Sequence, residues 1–127
     1  MEAEVKKALL MKSTTSMELY FVEITVFVAR DPAAALSAVH LWAGDTRVED
    51  FLGSALCAYR DHRFLMAFVE LTHNTIAHEI FHCVHGIMER TGDKFTAEHH
   101  EPYAYLQGWI AEWVYSQLKK AKIRVSV

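Results

Sequence analysis

Between Thr75 and Gly92 the chain carries a pattern that leaves few structural options. A polar sector holds His78, Glu79, His82, His85, Gly86 and Glu89, while Ile76, Ala77, Ile80, Phe81, Cys83, Val84, Ile87 and Met88 fill the positions between. At about 100° per residue these two sets fall on opposite sides of an α-helix, so the segment is expected to pack one face and present the other. Asn74 or Thr72 suits the N-cap, and Gly92 suits the stop. Such a helix needs a covering layer for its apolar side, which the rest of the chain must supply.

The polar side has a chemistry of its own. His78-Glu79-Ile80-Phe81-His82 is an HExxH string. Four residues are slightly more than one helical turn, so the two imidazoles project from one face and can grip one metal ion. Glu79 sits one position round, where a carboxylate can reach water held by that ion without being a ligand itself, the placement of a general base.

A hydrolytic zinc site takes three protein ligands and leaves one position for water. Glu98, His99, His100 and Glu101 are all eligible as the third. Glu101 is preferred because it heads a helical stretch, Glu101 to Ala121, with Pro102 in its first turn. Glu101, Ala104, Gly108 and Ala111 share one side of that stretch. Such small residues would let it approach the first helix closely at Gly86 and aim the carboxylate at the two histidines. Trp109, Trp113, Leu106 and Ile110 make an opposite apolar face, assigned to the core, with a homo-oligomeric contact through this helix as its other use. His85 reads as a hydrogen-bonding or solvated neighbour rather than a ligand. His40 and His62 read as ordinary surface or helix residues.

Upstream, residues 2–12 fit a short helix and Ser13 to Ser16 a linker, which makes 1–16 a loosely attached segment and 17–127 a single domain. Leu19 to Ala29 alternates β-branched and aromatic residues as a long strand does. Asp31 can cap and Pro32 start a helix that runs to Ala43 and ends at Gly44. Residues 45–53 fit either loop or short helix. Ala55 to Tyr59 and Phe64 to Leu71 are apolar runs around Arg60-Asp61-His62-Arg63, read as a hairpin, although the periodicity also admits helix. Asp93 to His100 is a polar connection. The fold class expected is α+β: a small, mainly antiparallel sheet packed on the HExxH helix and on a C-terminal helix that carries the third ligand.

At 127 residues the chain fits one domain, and a formal charge of −3, evenly spread, argues against a nucleic-acid partner. Lys119, Lys120, Lys122 and Arg124 are read as complementing a helix C-terminus. Cys57 and Cys83 are read as reduced thiols in a cytosolic setting. No apolar run of about eighteen residues and no cleavable leader is seen, so a cytoplasmic, membrane-free location is expected.

His78-Glu79-Ile80-Phe81-His82 followed by Glu101-Pro102-Tyr103-Ala104 resembles the zincin metallopeptidases, in the branch where a Glu-x-x-Ala or similar helix follows HExxH. Over roughly residues 64 to 118 the chain is most similar to small phage and prophage zincins. The resemblance implies a minimal zincin-like domain, with Zn²⁺ on His78, His82 and Glu101 and with Glu79 as general base. It also implies a peptide or protein substrate, the host cytoplasm as location if phage-encoded, and the strand before the HExxH helix lying along the cleft edge. The metzincin pattern does not fit, since His85 and Met88 stand where its glycine and third histidine belong. A non-catalytic module that keeps scaffold and metal, such as a phage accessory protein, is the alternative, because so short a chain leaves little material for a deep cleft.

Overall fold

A computed structural model describes residues 9–44, 55–92, 96–98 and 100–126. Their order is β1 (Leu9–Met17), a 3₁₀ turn (Glu18–Tyr20), β2 (Val22–Ala29), α1 (Pro32–Ala43), β3 (Ala55–Arg60), β4 (Arg63–Phe68), α2 (His73–Arg90) and α3 (Glu101–Lys120). The strands form one mixed sheet in the order β1-β2-β4-β3. β1 and β2 pair antiparallel, β2 and β4 parallel, and β3 and β4 antiparallel. A parallel pair needs a crossover, and α1 lies within the connection that provides it. The class is α+β, with the HExxH string on α2.

The two inner strands are covered on both sides. Ile24, Val26 and Val28 of β2, with Phe64, Met66 and Phe68 of β4, face a core shared with α2 and α3. Phe27, Ala29, Leu65 and Ala67 face α1 through Ala35, Ala38, Val39 and Trp42. Burial on both faces explains why these runs are continuously apolar rather than alternating. Asp31 caps α1 by accepting from the Ala34 amide at 2.8 Å, and Gly44 closes the helix in the left-handed region. The carbonyls of Trp42 and Ala43 accept from Arg63 (3.2 Å) and Arg60, so the β3–β4 hairpin satisfies the C-terminal end of α1.

Three expectations about the strands change. Residues 9–17 are neither helix nor linker: they form β1, in register with β2 from Leu9 opposite Ala29 to Met17 opposite Val22, with the Thr14 and Thr25 hydroxyls 2.9 Å apart. Ser13 to Ser16 looks like a linker because it is polar, but an edge strand tolerates polar and β-branched residues once its neighbour supplies the hydrogen bonds. β2 starts at Val22 rather than Leu19, after a turn in which Phe21 takes φ 54. The strand that leads into α2 is internal, and β3 is the edge on that side. Residues 1–8 and the ambiguous stretch at 45–53 lie outside the described residues.

α2 begins with a reciprocal cap between Thr72 and Thr75. Just before it, Leu71 and His73 exchange backbone hydrogen bonds with Ser126 (2.9 and 3.4 Å), so the chain's return after α3 is tied to the start of α2. His73 Nδ1 also lies 2.7 Å from the Tyr115 hydroxyl. The start of α2 therefore adjoins the last third of α3. α3 buries Tyr103, Leu106, Ile110, Val114 and Leu118. Trp113 is half-buried and Trp109 exposed, so the apolar face is rotated from the expected one.

The small-residue row does not dock on α2. A Cβ on Gly108 would meet open space, and Ala104 is exposed. Five large side chains remove far more apolar area from water than that row could, and they set the helix rotation. Gly86 meets β4 instead: a Cβ there would stand 2.9 Å from Cε1 of the buried Phe64 ring. Gly108→Ala should stabilise the protein by about 0.5–1 kcal/mol through helix propensity alone. Gly86→Ala gains the same propensity but overpacks the core by about 1–3 kcal/mol, so a net loss is expected. Urea denaturation of the two variants beside the parent checks this; equal midpoints would show that Phe64 yields freely.

Candidate metal centre

The rotation of α2 is set by two neighbours. Cys83 is hydrogen-bonded to Cys57 of β3, and Gly86 lies on Phe64 of β4, so the Glu79–Cys83–Gly86 flank rests on the sheet's edge. His73 and its turn face α3. What remains for solvent is the sector of Asn74, Ala77, His78, Phe81, His82, His85 and Glu89, all exposed. Two residues assigned to the packed side, Ala77 and Phe81, are thus exposed. Glu79, assigned to the polar sector, is only 7% exposed.

On this surface the Nε2 atoms of His78 and His82 stand 3.1 Å apart, with ring centroids at 4.7 Å and planes at 71°. Two nitrogens each about 2.0–2.1 Å from a tetrahedral zinc would be separated by roughly 3.3 Å, so the pair already has the bite of a chelate. The same spacing suits a ring N–H donating to the other ring's bare nitrogen. The side chain of Glu79 completes the cluster: one ligand atom from each of His78, Glu79 and His82 lies within 4.8 Å of the others. These donors fit a divalent ion such as zinc.

Burial pushes the Glu79 carboxyl above its ordinary range, and the coulombic effect of His78 and then His82 pulls it partway back. Desolvation dominates because the flank that carries Glu79 is against the sheet. A carboxyl with raised proton affinity thus stands beside two imidazoles able to bind a metal.

Glu101 is not brought into this cluster. It is the exposed first residue of α3. It falls outside the group of ligand atoms that His78, Glu79 and His82 bring together. Glu98 and His100 are exposed and also outside the cluster, and His99 lies outside the described residues. His85 has its own partners, the Glu89 carboxylate at 3.7 Å and the Phe81 ring, stacked at 6.4 Å.

Both cysteines are free. The hydrogen bond to Cys57, burial and the charge of Cys57 together hold the Cys83 thiol well above its ordinary value, which keeps it protonated. The burial of Glu79 had a partial sequence signal: of its neighbours three and four places away, Ile76 and Cys83 are apolar and Thr75 and His82 polar, which marks a boundary position. No protein-family model matches the chain, and neither a curated protein nor a solved structure matches it.

A carboxyl raised by folding favours the folded state only while it is protonated; that advantage is complete below the ordinary glutamate value and is lost as pH rises through the folded value. Metal-free wild type should therefore lose stability relative to Glu79→Gln as pH rises above the ordinary glutamate range. Urea midpoints in the presence of chelator measure this, and a difference independent of pH would mean that Glu79 is not desolvated.

Proposed function

We propose that this chain is a zinc-dependent hydrolase acting on peptide bonds, with His78 and His82 holding the ion and Glu79 as general base. The observation that carries the reading is the pair of Nε2 atoms at chelating distance with a buried, proton-seeking carboxyl beside them. Zinc held there supplies a Lewis acid and lowers the pKa of bound water from 15.7 toward ~7. Glu79 takes the proton from the attacking water onto its carboxylate and returns it to the leaving amine nitrogen. Desolvation helps the first of these transfers by raising the affinity of Glu79 for that proton. β3 supports a peptide substrate: among the described residues its one partner is β4, so its outer edge offers backbone groups to an extended chain beside the Glu79 flank.

Catalysis in this reading also needs Glu101 as third ligand, which requires the head of α3 to close on α2 when metal binds. A second reading keeps the metal without turnover, as a binding or regulatory module. The displacement of Glu101 from the cluster is the observation that favours it.

Metal analysis and a peptide-library cleavage assay separate the two. For the hydrolase, zinc is bound stoichiometrically and chelator abolishes cleavage. Glu79→Gln keeps the metal and loses at least about 10²-fold in turnover. His78→Ala and His82→Ala lose both metal and activity. Glu101→Ala weakens zinc binding about 10-fold or more if it is a ligand and leaves it unchanged in the second reading. Zinc without cleavage dependent on Glu79 selects the module, and absence of zinc binding removes both readings.

A further inference from the structure

Beyond the histidine pair, the C-terminal half of α2 and the β3–β4 hairpin enclose a cavity of about 330 Å³ lined by Tyr59, Asp61, Phe64, Gly86, Glu89 and Arg90. We propose that this cavity receives a basic side chain, arginine or lysine, of the substrate polypeptide. The inference rests on the peptide-hydrolase reading for the identity of the ligand and on the cavity itself for its chemistry.

The floor is aromatic. Tyr59 and Phe64 are opposite one another in the β3–β4 ladder, and their rings stack at 5.5 Å and 26°. Phe64 is fully packed, whereas Tyr59 is 67% exposed and so presents a ring to an incoming group. Aromatic faces suit both the methylene stem of a basic residue and its cationic head. Gly86 keeps the helix side of the cavity free of a side chain, at a place where the backbone already stands close to the Phe64 ring.

The rim decides the sign of the ligand. Asp61 and Glu89 contribute two negative charges against the single positive charge of Arg90, a balance of −1. Arg90 is in part committed, since its Nη1 donates to the Asp61 carbonyl at 3.2 Å and braces the turn in which Asp61 takes φ 56. Glu89 has His85 at 3.7 Å, but both side chains are more than half exposed, so the carboxylate stays accessible. An acidic ligand would meet net repulsion. A purely apolar one would cover the floor while drying carboxylates it cannot pair.

The position fits a substrate already engaged at the histidines. Gly86 and Glu89 follow His82 by four and seven residues, roughly 6–10 Å along the helix. An extended chain covers that in two or three residues at about 3.3 Å each. The cavity would therefore read the residue two or three places from the bond that is cut.

The test begins with binding to metal-free protein, which does not depend on turnover. Titration with N-acetyl-arginine amide, followed by ¹H–¹⁵N NMR, should move the Gly86 and Glu89 amides saturably, with affinity at least about 5-fold higher than for the norleucine derivative, in the range of an added ionic contact. Glu89→Gln and Asp61→Asn should each weaken it, and Glu89→Lys should abolish it; folding of these exposed-site variants is verified by the rest of the same spectra. Equal or tighter binding of the norleucine derivative, or no response at Gly86, overturns the proposal. On zinc-loaded protein, library cleavage should favour a basic residue two or three places from the scissile bond, a preference lost in Glu89→Gln. A library left uncut removes the hydrolase reading while the NMR titration still decides the cavity, and cleavage without a basic preference overturns the proposal alone.

Discussion

Phe64 wedged against Gly86 is the contact on which the rest of the candidate site depends. β4 presents the ring from inside the sheet, and the only way α2 can lie close above it is to bring its one residue without a side chain there. Together with the thiol contact between Cys83 and Cys57, this fixes how α2 is rotated about its axis. The HExxH string then divides by geometry: the two imidazoles are turned out to solvent, and the carboxylate between them is pressed against the sheet. An α-helix without that seat could place all three in water, where the glutamate would have no reason to hold a proton more tightly than usual.

The electrostatic character of the site follows from this division. Desolvation at Glu79 is unfavourable for folding as long as the carboxyl is ionised. The imidazoles oppose the shift without cancelling it. Their own exposure leaves the His78 and His82 rings accessible from solvent, whereas a purely structural metal site would be expected to be closed by four protein donors.

Much of this organisation was legible in the sequence because it is local. The caps at Asp31 and Thr72, the stops at Gly44 and Gly92, the hairpin around residues 60–63 and the helical setting of His78 and His82 all follow from residues within a few positions of one another. What escaped was non-local. Residues 9–17 are a strand because β2 pairs with them, not because Ser13 to Ser16 resemble one. Ala77 and Phe81 are exposed, and Glu79 is buried, because α2 rests on β3 and β4 by one flank and on α3 by the other, a choice the helical period alone leaves open. The small-residue row on α3 was a reasonable docking face by spacing. It lost to Tyr103, Leu106, Ile110, Val114 and Leu118, whose combined area orients the helix. The position of Glu101 depends on how α3 packs against α2, which no pattern within either helix encodes.

The backbone bonds between Ser126 and the residues flanking Thr72 have a mechanical consequence. They clamp the α2–α3 pair at the Tyr115 end, with the His73 contact as a second fastening. Any pivoting of α3 against α2 has its fulcrum there, and the lever arm is longest at Glu101, about 20 Å away along the helix. Tyr103 and Leu106, close behind Glu101, are buried in the core shared with α2, so moving that carboxylate far would draw core side chains with it. The head of α3 is thus held by packing where its other end is held by hydrogen bonds.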